Sequence, residues 1–574
     1  MDEGEKIKNI YITTPIYYVN SEPHIGGVYT TLMADIVCIF NRLSGRDTWF
    51  LTGTDEHGQK IQQSARSVGM EEQKFVDTMA EKFIDISKYM KFTYSDFIRT
   101  TEARHIQFVQ AIWEKLVKNG WVYRGKYSGW YCVSDEAYYT EEELVKSDGG
   151  ELRTILNKPV EWKEEEAYFF KLSKFQKILL DLYCSVDFIR PSYRKNEVVA
   201  FVSGRSIKDL ETELPTKSYL RDLSISRNNF SWGIKIPCDC DGKKLIDHGE
   251  WITDLDEDEK HVVYVWLDAL FNYQSALDSG DLFRKFWKNA DIVHIVGKDI
   301  LRFHAVYWPA FLIALEYREE EIEKLDIIED IVRKNIIPST IFAHGWWTKE
   351  GKKISKSGDN YIGVRDEVEF LSSEFGIDEE IAIDYIKYYL ATETSFGADI
   401  DYSRVRLIDR INGELVNNIG NLIQRTLMML DKNYGVILKK IEIKPDYKIK
   451  ELLSSKTINV FDFLEYKNLI LTISTAANGH LEQMAPWNLL KNNKLEEVYT
   501  LLCNVVQDII KIAILLQVFC PYIAEKILNH FNIKNSKFIT LYNTGNYIAE
   551  QKLAKPNVFF PKLKSSCTGP NTFY

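Results

Sequence analysis

Residues 7–27 of the chain, IKNIYITTPIYYVNSEPHIGG, decide its fold. The stretch from Ile7 to Val19 mixes Ile, Tyr, Val and Thr, which suits a buried strand, and Ser21-Glu22-Pro23 interrupts it. From His24 to Leu43, a pair of glycines opens a run whose apolar residues recur at helical spacing. The sequence therefore predicts a strand, a glycine-rich turn and a helix.

The same alternation continues along the chain. A second strand is predicted from Asp47 to Thr52, and it leads into Gly53-Thr54-Asp55-Glu56-His57-Gly58. After a long interruption, the predicted elements are the strand His261–Trp266, the helix Leu267–Leu277, the strand Ile292–Val296 and the helix Arg302–Leu315. Strands that alternate with helices in this way are typical of a doubly wound parallel sheet.

Two regions do not follow this pattern. The interruption, from about Trp121 to Lys235, has short apolar runs and turn-prone pieces, which indicates a domain inserted into the sheet domain. After about Asp401 the chain changes to long amphipathic stretches, which predict a bundle of helices. These stretches are Asn412–Leu430, Val460–Glu482 and Leu495–Val518.

Composition sets the broad class of the protein. A chain of 574 residues is several times the size of one domain, and its 45% hydrophobic and 27% charged residues are ordinary for globular proteins. Acidic residues outnumber basic ones by 83 to 72, so a nucleic acid would have to be held by local basic patches. The charged N-terminus does not resemble a signal peptide, and no stretch reaches the ~20 apolar residues that span a bilayer. We therefore expect a soluble, cytoplasmic protein with no membrane partner.

The cysteines indicate neither a disulfide framework nor an obvious metal site. The eight of them have no regular spacing, as in reduced cytosolic proteins. Cys238-Asp239-Cys240 is the only close pair, and only His248 follows nearby. Because a structural zinc site normally takes four ligands, we expect no metal at this pair.

His24 marks a possible nucleotide site where the first strand gives way to the helix. The glycines Gly26 and Gly27 would let phosphates approach the backbone, and a helix N-terminus favours negative charge. An imidazole there can hydrogen-bond a phosphate as its charge grows during displacement. Taken alone, these residues are better explained by a tight turn, or by a histidine that lies near a pair of glycines by chance.

A second candidate is the lysine-rich segment Gly351–Gly358, which reads GKKISKSG. Its glycines would let the loop close over a polyphosphate, and Lys353 and Lys356 would neutralise a departing pyrophosphate. Taken alone, the segment could be a solvated basic loop. Two such segments in this order, flanking a sheet domain, are much more specific.

With these two segments and several further motifs, the chain resembles the class I aminoacyl-tRNA synthetases, whose signatures are HIGH and KMSKS. Within that class it is similar to the methionyl-tRNA synthetase family over essentially its full length. The motifs that carry this resemblance are PIYYVN at 15–20, GTDEHG at 53–58, YVWLDAL at 264–270, GKDI at 297–300 and RFH at 302–304.

The resemblance implies an α/β fold with a Rossmann-like catalytic domain split by an inserted connective domain, then a stem-contact region and a C-terminal α-helical anticodon-binding bundle. The expected bounds are 1–120 and 236–330 for the two catalytic halves, 121–235 for the insertion, 331–400 for the stem-contact region with the KISKS loop, 401–563 for the anticodon-binding domain and 564–574 for a tail.

The reaction implied is attack of the methionine carboxylate on the α-phosphate of ATP, which gives methionyl adenylate and pyrophosphate. The methionyl group then passes to the 3′ end of tRNA(Met). Mg²⁺ should accompany ATP. The resemblance assigns catalytic roles to His24, Lys353 and Lys356, and ATP binding to His24, Gly26, Gly27, Gly297, Asp299 and Lys356.

The chain departs from the family in both signatures. Gly27 stands where the last histidine of HIGH would be, so His24 and Lys356 are expected to carry more of the phosphate chemistry. A backbone N–H of Gly27 could still reach the phosphate. KISKS in place of KMSKS is an apolar exchange that keeps both lysines.

The methionine pocket is expected to depend on shape, dispersion and contacts between sulfur and aromatic rings. The residues that match the family's pocket are Ile16, Tyr18, Asp55, Trp266, Ala269, Leu270, Tyr273, Ile300 and His304. Asp55 corresponds to the partner of the substrate ammonium, and Asp299 to the carboxylate that binds the ribose of ATP. Trp266, Ala269, Leu270 and Tyr273 share one face of a predicted helix, which without the family match would be ordinary core.

The same resemblance implies an anticodon site on the helical bundle, formed by Asn417, Asn421, Arg425 and Trp487. Amide and guanidinium groups can hydrogen-bond exposed base edges, and an indole can stack on an unpaired base. Many relatives hold zinc in the inserted domain, but the matching stretch at 129–136 keeps only Cys132, so no zinc is expected. A monomer is favoured over a dimer.

Three alternatives stay open from the sequence. The chain could be a class I synthetase for another amino acid, such as cysteine or leucine. It could be a small-molecule adenylyl transferase that shares the sheet domain and uses no tRNA. It could also be a synthetase-like RNA-binding protein that has lost catalysis, for which Gly27 is the one supporting feature.

Overall fold

The structure is a computed structural model, and it describes residues 9–20, 23–133, 137–139, 141–147, 150–155, 157–204, 219–252, 255–256, 259–277, 280–322, 327–354, 361–395, 397–454, 462–534, 536–543 and 546–564. The chain forms two compact units. Unit 1 comprises Met1–Pro23 and Trp49–Ala343, and unit 2 comprises His24–Thr48 and His344–Tyr574. This division is coarser than the domain bounds expected from the sequence, which stay predictions.

Unit 1 is built on a seven-stranded sheet, and this confirms the predicted α/β fold. The first five strands in spatial order are Ile189–Arg190, Thr340–His344, Ala290–Gly297, Asn9–Thr13 and Thr48–Asp55. Two more strands, Tyr17–Tyr18 and Asp96–Arg99, both pair with Thr48–Asp55. The strand Asn9–Thr13 is parallel to Ala290–Gly297, with Asn9 opposite Ala290, and Tyr17–Tyr18 is parallel to Thr48–Asp55, with Tyr18 opposite Asp55.

The first predicted strand divides into two. Asn9–Thr13 and Tyr17–Tyr18 pair with different neighbours, and the break lies at Thr14-Pro15-Ile16. Proline lacks the N–H that a central strand position would donate, so the run cannot continue as one strand. Gly53 lies at a close approach of two strands, because an added Cβ would come 2.0 Å from the carbonyl oxygen of Ile98.

The region predicted as an insertion forms an antiparallel sheet of its own. Its strands are Leu223–Ser224, Glu161–Phe170, Val122–Cys132 and Ala137–Tyr139, in spatial order. One part of the region behaves differently from the prediction: Ile189–Arg190 forms the edge strand of the main sheet and pairs with Ile341–Phe342. A two-residue strand carries too little pattern to be recognised in sequence.

The prediction of a strand at His261–Trp266 is wrong for most of its length. Only Val262–Val263 is extended, and it pairs with Ser226–Arg227 outside the main sheet, while Trp266 lies in the helix Val265–Leu270. The predicted helix Leu267–Leu277 is broken at Phe271, after which Asn272–Ser275 forms a second short helix. The predicted strand at 292–296 is confirmed within Ala290–Gly297.

The remaining elements of unit 1 surround these sheets. Its α-helices are Gln59–Ser67, Glu72–Tyr89, Ala103–Lys118, Gln176–Ser185, Ser192–Ser203, Val265–Leu270, Asn272–Ser275, Gly280–Phe283, Trp308–Glu316, Glu319–Ile322 and Ile328–Arg333. The π-helices are Arg284–Lys288 and Phe303–Tyr307, and the 3₁₀ turns are Glu141–Glu143, Leu172–Phe175 and Lys298–Ile300. Short strand pairs join Leu144–Lys146 to Leu152–Thr154 and Ile246–Asp247 to Glu250–Trp251.

Unit 2 is mainly helical, which confirms the predicted helical C-terminal region. Its α-helices are Ile25–Leu43, Val364–Phe375, Glu379–Thr392, Arg404–Arg410, Asn421–Tyr434, Tyr447–Ser454, Phe463–Met484, Pro486–Lys491, Leu495–Leu516 and Pro521–His530, with a π-helix at Ile411–Gly420 and a 3₁₀ turn at Phe538–Leu541. The strands Lys352–Lys353, Trp347–Lys349 and Ile400–Asp401 form a small sheet. Two further pairs join Ile437–Leu438 to Gln551–Lys552 and Ile441–Glu442 to Tyr547–Ile548.

One described helix, Leu495–Leu516, is long and apolar enough to cross a membrane, contrary to the expectation from the sequence. It packs in unit 2 against the helices Phe463–Met484 and Pro521–His530, and 72% of its most apolar stretch is buried there. Burial of this kind is what a core helix requires, so the composition of the helix is explained by packing.

Candidate functional site

The predicted methionine-binding residues Tyr273, Ile300 and His304 meet in unit 1. The Nδ1–H of His304 donates to the carbonyl oxygen of Ile300 at 3.0 Å, so its Nε2 accepts the hydroxyl proton of Tyr273 at 2.7 Å. Burial lowers the pKa of His304 to about 4. The imidazole is therefore neutral at physiological pH, and both of its nitrogens have defined roles.

A second histidine lies behind this pair. Trp308 donates its indole N–H to Nε2 of His294 at 3.2 Å, and the other ring nitrogen of His294 lies 2.7 Å from the hydroxyl of Thr13. Burial, together with nearby His304, lowers the pKa of His294 well below its ordinary value. The ring of Tyr273 stacks on His294 with centroids 4.2 Å apart. The base of the candidate pocket is thus aromatic and uncharged.

Trp266 forms another wall. Its ring is half-buried and lies parallel to Phe303 with centroids 3.7 Å apart, and it meets His304 edge-on at 6.2 Å. On the other side, the guanidinium of Arg302 lies 4.8 Å from the ring of Phe303. Ala269 and Leu270 follow Trp266 on the same helix and are buried in the core.

Asp55 and Tyr18 lie at neighbouring strand ends. They are opposite each other in the parallel pair of Tyr17–Tyr18 with Thr48–Asp55, and Asp55 is 8% exposed. The ammonium of Lys60 lies 6.0 Å from the centre of the Tyr18 ring. Ile16 is half-buried in the break between the two strands and packs against the core of unit 1.

The turn that follows Asp55 is fixed by groups that sequence reasoning did not single out. The buried carboxylate of Glu56 accepts two bonds from Arg99, at 2.7 and 2.9 Å, and Arg99 also pairs with Asp77. The indole of Trp232 donates to the carbonyl oxygen of Glu56 at 2.6 Å. Gly58 adopts a φ of 109°, a conformation that L side chains rarely adopt, and its N–H donates to Trp232.

His24 lies in unit 2, at the N-terminus of the helix Ile25–Leu43. Its Nδ1 accepts the N–H of Gly26 at 3.0 Å, which makes His24 the N-cap. With Nδ1 used as an acceptor, the neutral ring carries its proton on Nε2. A Cβ at position 26 would come 2.8 Å from Cε1 and 3.0 Å from Nδ1 of His24, so glycine is what lets the ring fold over the helix end.

Gly27 has a different surrounding from the one expected. Its N–H donates to the carbonyl oxygen of His24 at 3.0 Å, as part of the first helical turn. The expectation that this N–H reaches a phosphate therefore requires the turn to open. One turn further along the helix, the hydroxyl of Thr30 lies 2.8 Å from Nε2 of His344. At the start of the helix, the N–H of Ile25 donates to the carbonyl oxygen of Ile362.

The lysine-rich loop is described only up to Ile354. Lys353 ends a hairpin of Trp347–Lys349 with Lys352–Lys353, and of this residue only the backbone is described. Lys356 lies outside the described residues. The hairpin turn is held by Asp401, which accepts the N–H of Gly351 at 3.0 Å and the hydroxyl of Thr348 at 2.8 Å. The bond from Gly351 is the main cause of a lowered pKa of Asp401.

The predicted ribose-binding residues follow the strand Ala290–Gly297 in unit 1. Gly297 precedes the 3₁₀ turn Lys298–Ile300, and Asp299 is exposed within that turn. This is the carboxyl end of a central strand, where ligands of parallel sheets are usually bound. Asp299 and Ile300 thus lie in one turn of unit 1. His24, Gly26, Gly27 and Lys353 belong to unit 2.

No group of three or more side chains able to hold a metal ion occurs among the described residues. Burial raises the pKa of the Cys238 thiol to about 11, which opposes the thiolate that zinc requires. Cys132 is also buried. The prediction that the insertion holds no zinc remains a prediction.

Of the predicted anticodon residues, all on unit 2, Arg425 and Trp487 lie near each other. Asn417 is exposed on the π-helix Ile411–Gly420, and Asn421 is exposed at the start of the next helix. The guanidinium of Arg425 lies 6.0 Å from the ring of Trp487 and 3.8 Å from the carboxylate of Glu482. Trp487 is 44% exposed, so a large indole face is open to solvent beside a cation.

The chain was compared with known proteins. The family described as "tRNA synthetases class I (M)" matches residues 10–149 and 151–427. A methionine–tRNA ligase of Rickettsia felis is 42% identical, and the alignment covers 96% of this chain and 98% of that protein. A methionine–tRNA ligase of Thermotoga maritima is 36% identical over 92% of this chain and 76% of that protein.

The chain is also similar to solved structures of methionyl-tRNA synthetases. A methionyl-tRNA synthetase of Mycobacterium tuberculosis in complex with methionyl-adenylate is 31% identical, with a TM-score of 0.79. The match covers 96% of this chain and 100% of that chain.

Proposed function

The chain belongs to the methionyl-tRNA synthetase family of class I, and from that premise we propose how its side chains divide the work of the reaction. The activity is that of a methionine–tRNA ligase: methionine is activated by ATP to methionyl adenylate, and the methionyl group is then transferred to tRNA. The observation that carries the assignment of the site is that Trp266 and Tyr273 both contact the buried imidazole of His304.

The pocket suits a thioether side chain. Trp266 and Tyr273 offer ring surface, and the His304 imidazole between them is uncharged because burial lowers its pKa. A sulfur atom gains from aromatic rings and needs no charged partner. Ala269, Leu270 and Ile300 complete an apolar wall, and Ile16 and Tyr18 close the pocket at the strand break.

The ammonium of methionine is held by Asp55. Because the carboxylate is only 8% exposed, water and salt screen its attraction to the ammonium very little. A charge-assisted hydrogen bond there is therefore strong. The Glu56–Arg99 pair and Gly58 hold the turn on which Asp55 lies, which fixes the direction of its carboxylate.

The phosphates of ATP are bound by groups of unit 2. His24 has its Nδ1 committed to Gly26, so Nε2 is the nitrogen that donates to the α-phosphate as its charge grows. Lys353 and Lys356 neutralise the departing pyrophosphate. Gly26 and Gly27 allow close approach of the phosphates. Gly297 and Asp299 are assigned to the ribose. Mg²⁺ enters with ATP as the substrate complex.

Recognition of tRNA(Met) is assigned to the exposed face of Asn417, Asn421, Arg425 and Trp487. Trp487 stacks on an unpaired anticodon base, and the amides and guanidinium bond base edges. We further propose a cytoplasmic monomer without structural zinc.

Exchange of labelled pyrophosphate into ATP tests the amino acid. We expect exchange to depend on methionine, with cysteine and leucine inactive at equal concentration. Exchange that responds to another amino acid and not to methionine would overturn the assignment. Failure to charge a tRNA with a CAU anticodon, with exchange intact, would instead favour an adenylyl transferase that uses no tRNA.

The lysine loop is tested separately. Lys356→Ala should strongly lower methionine-dependent exchange and leave tRNA affinity unchanged, because the lysine acts on pyrophosphate only. Unchanged exchange in this variant would contradict the role given to Lys356.

A further inference from the structure

A buried carboxylate in unit 1 joins two histidines, outside the groups assigned so far. Oδ2 of Asp268 lies 2.7 Å from Nδ1 of His57, and Oδ1 lies 2.6 Å from Nε2 of His105. The other nitrogen of His105 lies 2.8 Å from the hydroxyl of Ser275. Asp268 and His105 are fully buried, and His57 is 5% exposed.

These groups come from three separate elements, and the elements of His57 and Asp268 lie next to residues assigned to methionine. His57 lies two residues after Asp55, in the turn at the end of the strand Thr48–Asp55. Asp268 lies on the helix Val265–Leu270, between Trp266 and Ala269. His105 belongs to the helix Ala103–Lys118, which its bonds to Asp268 and Ser275 join to these two residues.

The bonding pattern makes this link strong and directional. A buried carboxylate is costly unless its oxygens are satisfied, and here each oxygen faces one imidazole N–H. Burial by itself would raise the pKa of Asp268, but the two histidines hold it below its ordinary value. The carboxylate therefore stays ionised, and the bonds are charge-assisted.

We propose that Asp268 is a positioning residue for methionine: through His57 it fixes the separation between Asp55 and the helix that carries Trp266, Ala269 and Leu270. The inference rests on the assignment of these residues to methionine in the proposed function. Asp268 itself does not need to touch the substrate. It sets the width of the pocket between the ammonium partner and the side-chain wall, as outer groups do for ligands they orient.

The test separates the two substrates. In pyrophosphate exchange, Asp268→Asn should raise the methionine KM about tenfold, since one oxygen acceptor becomes an N–H that faces another N–H. The KM for ATP should stay within about twofold, the range in which independent sites are additive. Equal rises in both constants, or a loss of thermal stability with no change in either, would overturn the proposal.

Conservative variants at His57 provide a rescue. His57→Leu removes the donor and should raise the methionine KM as Asp268→Asn does, whereas His57→Asn keeps an N–H near the place of Nδ1 and should recover most of the loss. The double variant Asp268→Asn with His57→Leu should be no worse than either single variant, since both break the same bond. Additive losses would count against the link.

Ser275→Ala covers the case in which Asp268→Asn does not fold. It removes the partner of His105 without disturbing a buried charge, and it should raise the methionine KM about two- to threefold. An unchanged methionine KM in a folded Ser275→Ala protein would overturn the proposal. Asp384→Asn is the matched control, because this equally buried carboxylate accepts the N–H of Ile523 in unit 2. It should lower stability and leave the methionine KM unchanged.

The two levels of inference fail differently. If the unmodified enzyme shows no methionine-dependent exchange, the proposed function fails. If it does, and Asp268→Asn lacks the selective rise in methionine KM, only the role of Asp268 fails.

Discussion

Replacement of Gly26 by alanine is the most direct test of the way His24 is held. The new Cβ would lie 2.8 Å from Cε1 and 3.0 Å from Nδ1 of His24, well inside van der Waals contact. The histidine ring can rotate away, because it ends a side chain with two free torsions. Rotation breaks the 3.0 Å bond between Nδ1 and the N–H of Gly26 and turns Nε2 away from its present direction.

Two effects of different size follow. Loss of the N-cap bond costs about 1 kcal/mol of stability, partly offset because alanine favours the helix more than glycine. The effect on rate is larger, since removing one preorganised donor to a transition-state oxygen typically costs about 10²-fold in kcat. The variant should therefore be nearly as stable as the parent and about a hundredfold slower in adenylate formation.

The measurement is kcat for methionine-dependent pyrophosphate exchange, with the unfolding temperature recorded in parallel. Gly479→Ala is the matched control, because a Cβ on this glycine of the helix Phe463–Met484 meets nothing within 4 Å. The control should keep full exchange activity. If Gly26→Ala exchanges at the parental rate, the position of the His24 ring does not govern the chemistry, and the reasoning is refuted.

Three further predictions concern the pocket, its supporting turn and the tRNA face. Glu56→Gln leaves Arg99 without its buried charge partner, so it should cost about 3 kcal/mol and lower the unfolding temperature by roughly 5–10 °C; an unchanged temperature would show that the pair is dispensable. The pKa of His304 is lowered to about 4, so the unfolded chain binds a proton that the folded one does not, and stability should fall by about 3 kcal/mol as pH drops from about 6.5 to about 4. His304→Gln should reduce the slope of that part of a plot of unfolding temperature against pH, with buried His294 still contributing, and an equal slope in both proteins would refute the cause. Trp487→Ala should lower kcat/KM for tRNA by about 10- to 100-fold through lost stacking, with pyrophosphate exchange unchanged; a loss in exchange would place Trp487 in the fold instead.

Three strands of the parallel sheet, Asn9–Thr13, Thr48–Asp55 and Ala290–Gly297, could be predicted from local patterns, because they lie in apolar runs bounded by glycine or proline. The helix at Ile25–Leu43 was predicted to within one residue at its start, since His24 and the glycine pair mark its N-terminus. The edge strand Ile189–Arg190 was not predictable, because the strand it pairs with lies 152 residues further along the chain, at Ile341.

The candidate pocket shows the limit of helical periodicity. Trp266, Ala269, Leu270 and Tyr273 were predicted on one continuous helix, whereas the structure breaks that helix at Phe271. The break was not visible in the sequence because Phe271 is no helix breaker and is itself a buried core residue. Tyr273 still reaches His304, through tertiary packing that no local pattern records.

The supporting groups were missed for a different reason. His57 and Asp268 are 211 residues apart, and Glu56 and Arg99 are 43 apart, so neither pair has a spacing that indicates contact. The motif GTDEHG gave one usable signal, since a polar run directly after a buried strand marks a turn in which charged groups need partners. It could not say which partners.

The direction of the hydrogen bonds at the base of the pocket also bears on which form of methionine the enzyme accepts. The hydroxyl of Tyr273 donates a hydrogen bond to His304, and the Nδ1–H of His304 donates to Ile300. Neither residue therefore has a donor left for a bound amino acid. The methionine sulfur is a weak acceptor and loses no hydrogen bond there. The sulfoxide oxygen is a strong acceptor, and at this place it would meet only the lone pairs of Tyr273 and His304. The enzyme should thus exclude oxidised methionine before it enters new protein, and competition between the two in the exchange reaction measures this selectivity.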